Sequence, residues 1–556
     1  MMRARLAVSS ALVLAVCLAW PGASTAQFTD PPPPAAYALQ NVTVVEVDGN
    51  RTDSVTLVIR NGLIAAMDRG LAVPPDARLL EGDSLYVYPG LIDGDGEADF
   101  EFPEVEIDRG QVASWDPPRR VQGFSPSQRV VDYLSSTGED VADQRQAGIV
   151  AAAIIPGDRV MPGRGATLIF RRNADLPAEL IAEPVIGPAM YLSGAQGVYP
   201  ATLFAVIAFY RQSFENARNY QAKKQAYSRN DRGVEPPKWD PDLEVMLDLM
   251  AGRAPAFFAA DNGRDIQRVL MLAEEYGFRP IIVGGDEAWK VADELRAAEV
   301  PVLVSLDFPE PKRWKPAEDD GTNGDDELDA AALAEKQEIE AIYANAGRLA
   351  EAGVRFALTS EGGDADLLEG ARKAIEYGLS EAAALRALTA TPASLFGLER
   401  LTRIEQGGAA TFIVTDGPLF AEDTEIRYTF VEGELERVKE GAAAGGEPPT
   451  VDITGTWDFE IDAEGQIIAA KMTVEQEGAD FEGTMQTPFG EARVRDGVVS
   501  GNKISFTIVV ETGEPMEVTA EGTVEGEEAS GTGESPDGSF TWTAERTSGP
   551  GEGIDR

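Results

Sequence analysis

From residue 88 to residue 398, short apolar runs alternate with longer stretches in which apolar side chains recur every three or four positions. The runs fall at 87–92, 149–155, 167–170, 256–260, 280–283, 302–306 and 355–359, and the amphipathic stretches at 199–227, 264–276, 287–298, 330–352 and 365–377. Strands that alternate with helices predict a parallel α/β sheet or barrel. No glycine-rich dinucleotide fingerprint follows the first run, so the pattern favours a (β/α)8 TIM-like barrel over an open sheet.

Period-two alternation frames this region. Val42, Val44 and Val47, then Val55, Leu57 and Ile59, precede Asn61-Gly62, a dipeptide suited to a tight hairpin turn, and strand character returns at 411–415 and 428–431. The stretch GAAAGGEPP at 441–449 reads as a flexible linker. Beyond it the alternation resumes in short runs punctuated by glycine, with Trp457, Phe459 and Ile461, then Ile504, Phe506, Ile508 and Val510, then Phe540, Trp542 and Ala544. Such runs predict a small antiparallel meander barrel or sandwich, with an interior filled by side chains expected ahead of a ligand cavity.

The first 26 residues read as a secretory leader: Arg3 and Arg5, an apolar run at 6–20, and Ser24-Thr25-Ala26 as a small-x-small cleavage site. Export to the periplasm or the medium is the expectation, and no later segment is long and apolar enough to span a bilayer. The single cysteine, Cys17, lies inside the leader, and Val16 precedes it where a lipoprotein signal wants a small residue. Cleavage after Ala26 therefore leaves no thiol for disulfides, thiolate metal ligands or a cysteine nucleophile. The expected division is leader 1–26, strand-rich 27–87, barrel 88–398, strand-rich 399–440, linker 441–449 and an all-β domain at 450–547.

Formal net charge is −46, and removal of Arg3 and Arg5 with the leader takes it to −48. A field of that sign repels nucleic acid and anionic lipid, so neither is an expected partner, and solubility accounts for the acidity. The chain contains no histidine. That removes the commonest zinc ligand and the usual acid or base near neutral pH.

Five strings in order resemble the amidohydrolase superfamily: VTLVIRNGLIAAM at 55–67, YPGLIDGDGE at 88–97, AGIVAAAIIPGDRVMPGRGATLIF at 147–170, GLSEAAALRALTATPASLFGLE at 378–399, and IEQGGAATFIVTDGPLF at 404–420. The third is similar to a branch related to imidazolonepropionases. The resemblance covers about 37–437 and implies a metal-bearing barrel flanked by a composite β-sandwich built from both ends of the catalytic region. It implies hydrolysis of non-peptide C–N bonds, with metal ions held at the strand ends to polarise a carbonyl and activate water. Where the family carries His-x-His, this chain has Asp95-Gly96-Glu97. The mid-barrel histidine positions fall near Ala259 and at Gly284-Gly285, and Ser360-Glu361 stands near the family's catalytic aspartate.

Two chemistries remain open for Asp95, Glu97 and Glu361. They would suit a hard cation such as Mg2+, Mn2+ or Ca2+, or a metal-free pair of carboxylates working as acid and base, and their spacing relative to Asp307 is the observation that matters. The bland alternative is that they solvate the barrel mouth. GDRVMPGRG at 157–165 could cradle an anion with Arg159 and Arg164 as substrate-binding groups, although a glycine-rich connection between strands explains it as well. EDDGTNGDDE at 318–327 lacks the closing glutamate of a calcium loop and reads as a solvated acidic loop. The aromatic stretch at 199–220, like Trp289 and Trp314, is expected to pack rather than bind.

The leading expectation is an exported amidohydrolase-like pseudoenzyme or small-molecule binding scaffold without a cofactor. Two alternatives are an active hydrolase with a carboxylate-only metal site, and a structural subunit that forms a homo-oligomer or pairs with an active homologue.

Overall fold

The computed structural model describes residues 36–437 and 450–548, apart from 81–84, 104–111, 158, 183–185, 196, 234, 310–329 and 364 in the first span and 464–465, 478–479, 488–489, 513 and 536–537 in the second. The leader with Cys17, the spacer at 31–34, Trp314, the acidic loop at 318–327 and the linker at 441–449 lie outside the described residues. No described helix is long and apolar enough to cross a membrane.

The chain opens with β1 (Ala36–Val45), β2 (Arg51–Arg60), β3 (Leu63–Arg69), β4 (Ala77–Leu79) and β5 (Tyr86–Pro89). Asn61 and Gly62 both take left-handed backbone, with φ of 53° and 79°, which gives the β2–β3 hairpin the turn its sequence signals. The apolar run at 87–92 is two strands: Gly90 separates β5 from β6 (Leu91–Asp93), because a Cβ there would lie 2.4 Å from Val150 Cγ1. After β6 the chain enters the α/β region.

That region contains α1 (Ala142–Gln146), β7 (Ile149–Ile154), β8 (Ala166–Ile169), α2 (Pro177–Leu180), β9 (Ile181–Ala182), β10 (Ala189–Tyr191), α3 (Leu203–Arg229) and α4 (Pro241–Met250). It continues with β11 (Pro255–Ala260), α5 (Gly263–Tyr276), β12 (Arg279–Gly284), α6 (Ala292–Ala297), β13 (Val302–Ser305), α7 (Ala330–Tyr343), α8 (Asn345–Ala352), β14 (Phe356–Thr359) and α9 (Leu367–Glu376). Strands β10 to β14 form one parallel sheet, and β6 to β9 a second. The helices begin where capping residues dictate. Asn262 accepts the Asp265 N–H at the start of α5, Asp240 accepts that of Leu243 before Pro241 of α4, and left-handed Gly277 ends α5.

One strand departs from the expected parallel pattern. β8 runs antiparallel to β7, with Ala151 opposite Ile169 and Ile154 opposite Ala166. The 155–165 connection carries no helix, and a parallel return needs a crossover of a dozen residues or more, so this short link can only reverse direction. Two seams join the sheets. Arg164 bridges Pro188 while Ala189 donates to Gly163 O at 2.9 Å, and Gly362 donates to Asp95 O at 2.8 Å beside the end of β14.

Alternation along the strands sorts two cores. Ile92, Ala151, Phe257, Ile281, Leu303 and Ala357 pack together in one cluster, while Ala256, Phe258, Ile282, Val302 and Leu358 join the larger cluster that the helices cover. Strand neighbours pointing to opposite faces produce that division.

The composite flanking domain is present. β15 (Phe412–Thr415) pairs with β5, and β16 (Ile426–Val431) and β17 (Glu434–Arg437) follow, giving the order β17-β16-β15-β5-β1-β2-β3 with β4 beside β1. The expectation of a two-sheet sandwich is corrected to one continuous ladder. It turns back on itself where Leu63 bridges Ala409, and encloses Leu39, Leu57, Ile64, Phe412 and Phe430.

At the C-terminus, eight antiparallel strands from Gly455–Ala463 to Gly538–Ser548 close into a barrel, the first pairing with the last. Trp457, Phe459, Phe481, Phe506 and Trp542 fill its interior, the Phe459 and Trp542 rings 5.1 Å apart.

The α/β region is tied to the flanking sheet by a buried ion pair. Arg145 of α1, 3% exposed, donates from Nε to Glu436 Oε2 of β17 at 2.9 Å and from Nη1 to Gly138 O at 2.6 Å. Arg145→Ala would leave Glu436 without that partner, and removing one member of a buried pair costs about 3–5 kcal/mol. Urea unfolding of the variant should show that loss, and a midpoint equal to wild type would show that the pair carries no stability.

Candidate functional site

Strand parity places a set of carboxylates at one end of the strands. Asp261, Asp307 and Glu361 each stand an even number of residues beyond the inward-facing Phe257, Leu303 and Ala357. All three follow the C-terminal ends of their strands by one or two residues, where such folds build their sites. Asp286 follows β12 by two residues.

The segment after β6 meets the turn after β14. Asp93, 1% exposed, accepts the Asp95 and Ser360 N–H groups at Oδ1, each at 3.1 Å, and the Ser360 hydroxyl at Oδ2 at 2.5 Å. Thr359 Oγ1 donates to Asp95 O at 2.9 Å and accepts the Glu361 N–H at 3.1 Å. Ser305 donates its hydroxyl to Glu361 Oε2 and accepts the Asp307 N–H at 3.0 Å. Glu361, Gly362 and Gly363 all take left-handed backbone, with φ of 56°, 80° and 96°. A side chain on Gly363 would meet Glu97, its Cβ only 2.8 Å from Oε2.

Burial, with acidic neighbours adding to it, pushes Asp95, Asp261 and Asp286 toward the protonated form. Burial raises the Asp286 pKa to about 7, assisted by Asp261, Glu361, Asp307 and Glu287. Burial raises Asp95 well above the ordinary range, with Asp93 and Glu361 adding to it and the Ile155 N–H opposing. Asp261 is raised by burial, then by Glu361 and Asp265. Burial also raises Asp93 against its hydrogen bonds. Every charge acting on Asp95, Asp261 and Asp286 is another carboxylate.

Electrostatic contact therefore links Asp95 to Glu361, and Glu361 and Asp307 to Asp286, while Glu97 lies beside Gly363. The structure adds Asp93, Asp261 and Asp286, which sequence reasoning passed over although each stands within two residues of a position it weighed. Ala259 and Gly284-Gly285 marked the right strand ends, and the acids come just after them. Gly284 must lack a side chain, since a Cβ would lie 2.0 Å from Asp261 Oδ1.

Arg159 and Arg164 serve elsewhere. The 155–165 stretch is the β7–β8 connection, Arg159 packs beside Gly123, and the charges acting on Arg164 are Arg129, Asp248 and Asp132. Trp289 is flanked by cations, with Arg348 over its ring at 4.3 Å.

The residues present do not fit the transition-metal centre that the family resemblance implies. The chain supplies no imidazole, and among the described residues no three His, Cys, Asp or Glu side chains stand close enough together to hold a metal ion.

The raised pKa values link stability to pH with a definite sign. A carboxylate that holds its proton more tightly when folded favours the folded state below its unfolded pKa, and loses that contribution as pH rises through the folded value. For Asp286 the window runs from about pH 4 to about 7. Wild type should be less stable to urea at pH 8 than at pH 5, and Asp286→Asn should recover about 1–3 kcal/mol at pH 8 while changing little at pH 5. Equal effects at both pH values would show that Asp286 ionises normally.

Comparison with known proteins agrees with this architecture. Residues 322–438 match the family model described as the amidohydrolase family. An amidohydrolase from Thermotoga maritima MSB8 superposes with a TM-score of 0.57 at 22% identity, over 72% of this chain and 100% of that one. A prolidase complexed with N-methylphosphonate-L-proline gives 0.39 at 16% identity over 72% and 99%. A β-aspartyl dipeptidase from Fervidobacterium islandicum AW-1 gives 0.34 at 15% over 72% and 96%. A search of curated protein sequences found no match. Residues 322–438 are thus similar to the amidohydrolase family, and the Thermotoga maritima amidohydrolase shares the fold of 72% of this chain.

Proposed function

We propose that this is an exported amidohydrolase-superfamily protein, of the imidazolonepropionase-like branch, whose barrel mouth captures a small cationic ligand instead of running the metal-hydroxide hydrolysis of its relatives. The observation that carries the reading is the ring of carboxylates, Asp95, Asp261, Asp286, Asp307 and Glu361, acting on one another without a basic side chain among them. Family hydrolysis needs a base-generating centre, and histidine is absent throughout. A ligand with one or two ammonium groups would supply the charge the mouth lacks, and it would draw Asp95, Asp261 and Asp286 back toward the ordinary carboxylate range.

Export rests on the leader at 1–26, and the leaderless chain is the form to test. Isothermal titration with putrescine should show saturable binding that tightens as pH rises through about 7, where Asp286 ionises. Asp286→Asn and Glu361→Gln should each weaken it about tenfold at pH 8. A panel of amides and cyclic imides should show no turnover above buffer, with elemental analysis run on the same material. Stoichiometric metal lost on Asp95→Asn together with amide turnover would overturn the reading, as would binding indifferent to pH and to both substitutions.

A further inference from the structure

A second cavity of about 410 Å3 lies apart from the carboxylates, between the 115–124 segment and the outer face of α3. It falls in the size range of small-molecule sites. Trp115 stands at its rim 80% exposed, and Phe124, Tyr199 and Phe209 form its aromatic wall. Phe209 meets Phe124 and Tyr199 edge-on, at centroid distances of 5.4 and 6.1 Å, so the wall is fixed by its own packing.

Two polar side chains open into this space without a partner. Gln122 is 8% exposed and Ser213 is 5% exposed, both line the cavity, and neither side chain hydrogen-bonds to another described residue. Neither polar group is cut off from water, so a ligand that displaces water from this cavity has to replace the hydrogen bonds that water makes to the carboxamide and the hydroxyl.

Charge narrows the ligand. Arg119, the only basic residue among the described ones that line the cavity, is already committed: it contacts Asp240 at 2.8 Å and Asp242 at 3.7 Å. With Asp116 also in the lining and a net charge of −46, an anion would find no free cation and a repulsive field. An ammonium ligand donates only, and a quaternary one neither donates nor accepts, which leaves the carboxamide N–H groups of Gln122 unmet. A neutral polyol both donates and accepts, matching the carboxamide and the hydroxyl, while its C–H face can lie on the exposed indole of Trp115.

We propose that this cavity is a binding site for a neutral saccharide, one sugar ring stacking on Trp115 with its hydroxyls on Gln122 and Ser213. The site is independent of the barrel mouth. The packing expected of the aromatic stretch at 199–220 holds for Tyr210 and Phe214, while Ser213, between them, faces the cavity.

The test is a glycan array of neutral hexose, pentose and N-acetylhexosamine oligomers, probed with the leaderless full chain at pH 7.5 and followed by titration of the best oligomer and its monosaccharide. Saturable binding should appear, Trp115→Ala and Gln122→Ala should each raise Kd about tenfold, and Asp286→Asn should leave it unchanged. A monosaccharide that binds as tightly as the oligomer identifies a free sugar as the ligand, and weaker monosaccharide binding identifies a polysaccharide. Since Trp115 is exposed, its substitution should not disturb folding, and an unchanged urea midpoint checks this. No binding to any neutral glycan, binding unaffected by both substitutions, or choline bound at this cavity in place of sugar would overturn the proposal. Failure of putrescine binding at the mouth would leave it standing.

Discussion

A carboxylate with almost no access to water has to be protonated or surrounded by donors, and Asp93 is surrounded. Two backbone N–H groups and the Ser360 hydroxyl converge on it from the segment after β6 and the turn after β14. These contacts join the first strand of the α/β region to the last, across a seam that strand ladders do not bridge. The position of Asp95 and Glu97 on one side and Glu361 on the other follows from that junction. The Thr359 side chain reinforces it by donating to Asp95 O while accepting the Glu361 N–H.

The same turn places Glu361 at a backbone conformation that costs a non-glycine residue about 1–2 kcal/mol. Two glycines follow it, both left-handed, and they let the chain reverse within three residues. The hydrogen bonds from Thr359, Ser360 and Ser305 hold the turn and offset its strain. Strain of this kind clusters at functional sites, and here it falls on the acid whose charge acts on Asp95, Asp261 and Asp286 alike. Structural donors satisfy Asp93, while Asp286 is left to its acidic neighbours and titrates near 7. One group is therefore held by structural donors, and the other is held among acids.

Much of this architecture could be read before any coordinates existed. The apolar runs at 256–260, 280–283, 302–306 and 355–359 became β11 to β14 within a residue or two, because fully buried parallel strands are continuous apolar runs. Asn61-Gly62 specified its turn through local conformational preference alone. Periodicity could not distinguish the antiparallel β8 from a parallel strand, since direction depends on what the connecting loop permits, and it merged β5 with β6 because a single glycine divides them. Asp95, Glu97 and Glu361 were singled out from motif position, and Asp307 only as a spacing to be checked. Asp261 and Asp286 were not, because one acid among many in so acidic a chain carries no signal until the strand end beside it is placed. The folding of the flanking sheet onto itself depends on the bridge from Leu63 to Ala409, a contact between residues far apart in sequence.

A carboxylate standing where the family resemblance expects an imidazole would change more than ligand chemistry. A neutral imidazole can sit among others without electrostatic cost, and a metal ion then brings the positive charge. A ring of carboxylates begins with negative charge and has to dispose of it by taking up protons or by holding a cation. Burial and acidic neighbours raise Asp95, Asp261 and Asp286 and so favour proton uptake there, which weakens as pH climbs past 7, when Asp286 gives up its proton. Above that point the ionised mouth is stabilised by whatever positive charge enters it. An acid-lined opening of this kind thus couples its occupancy to its own ionisation, a property that a histidine-lined site with a resident metal does not need.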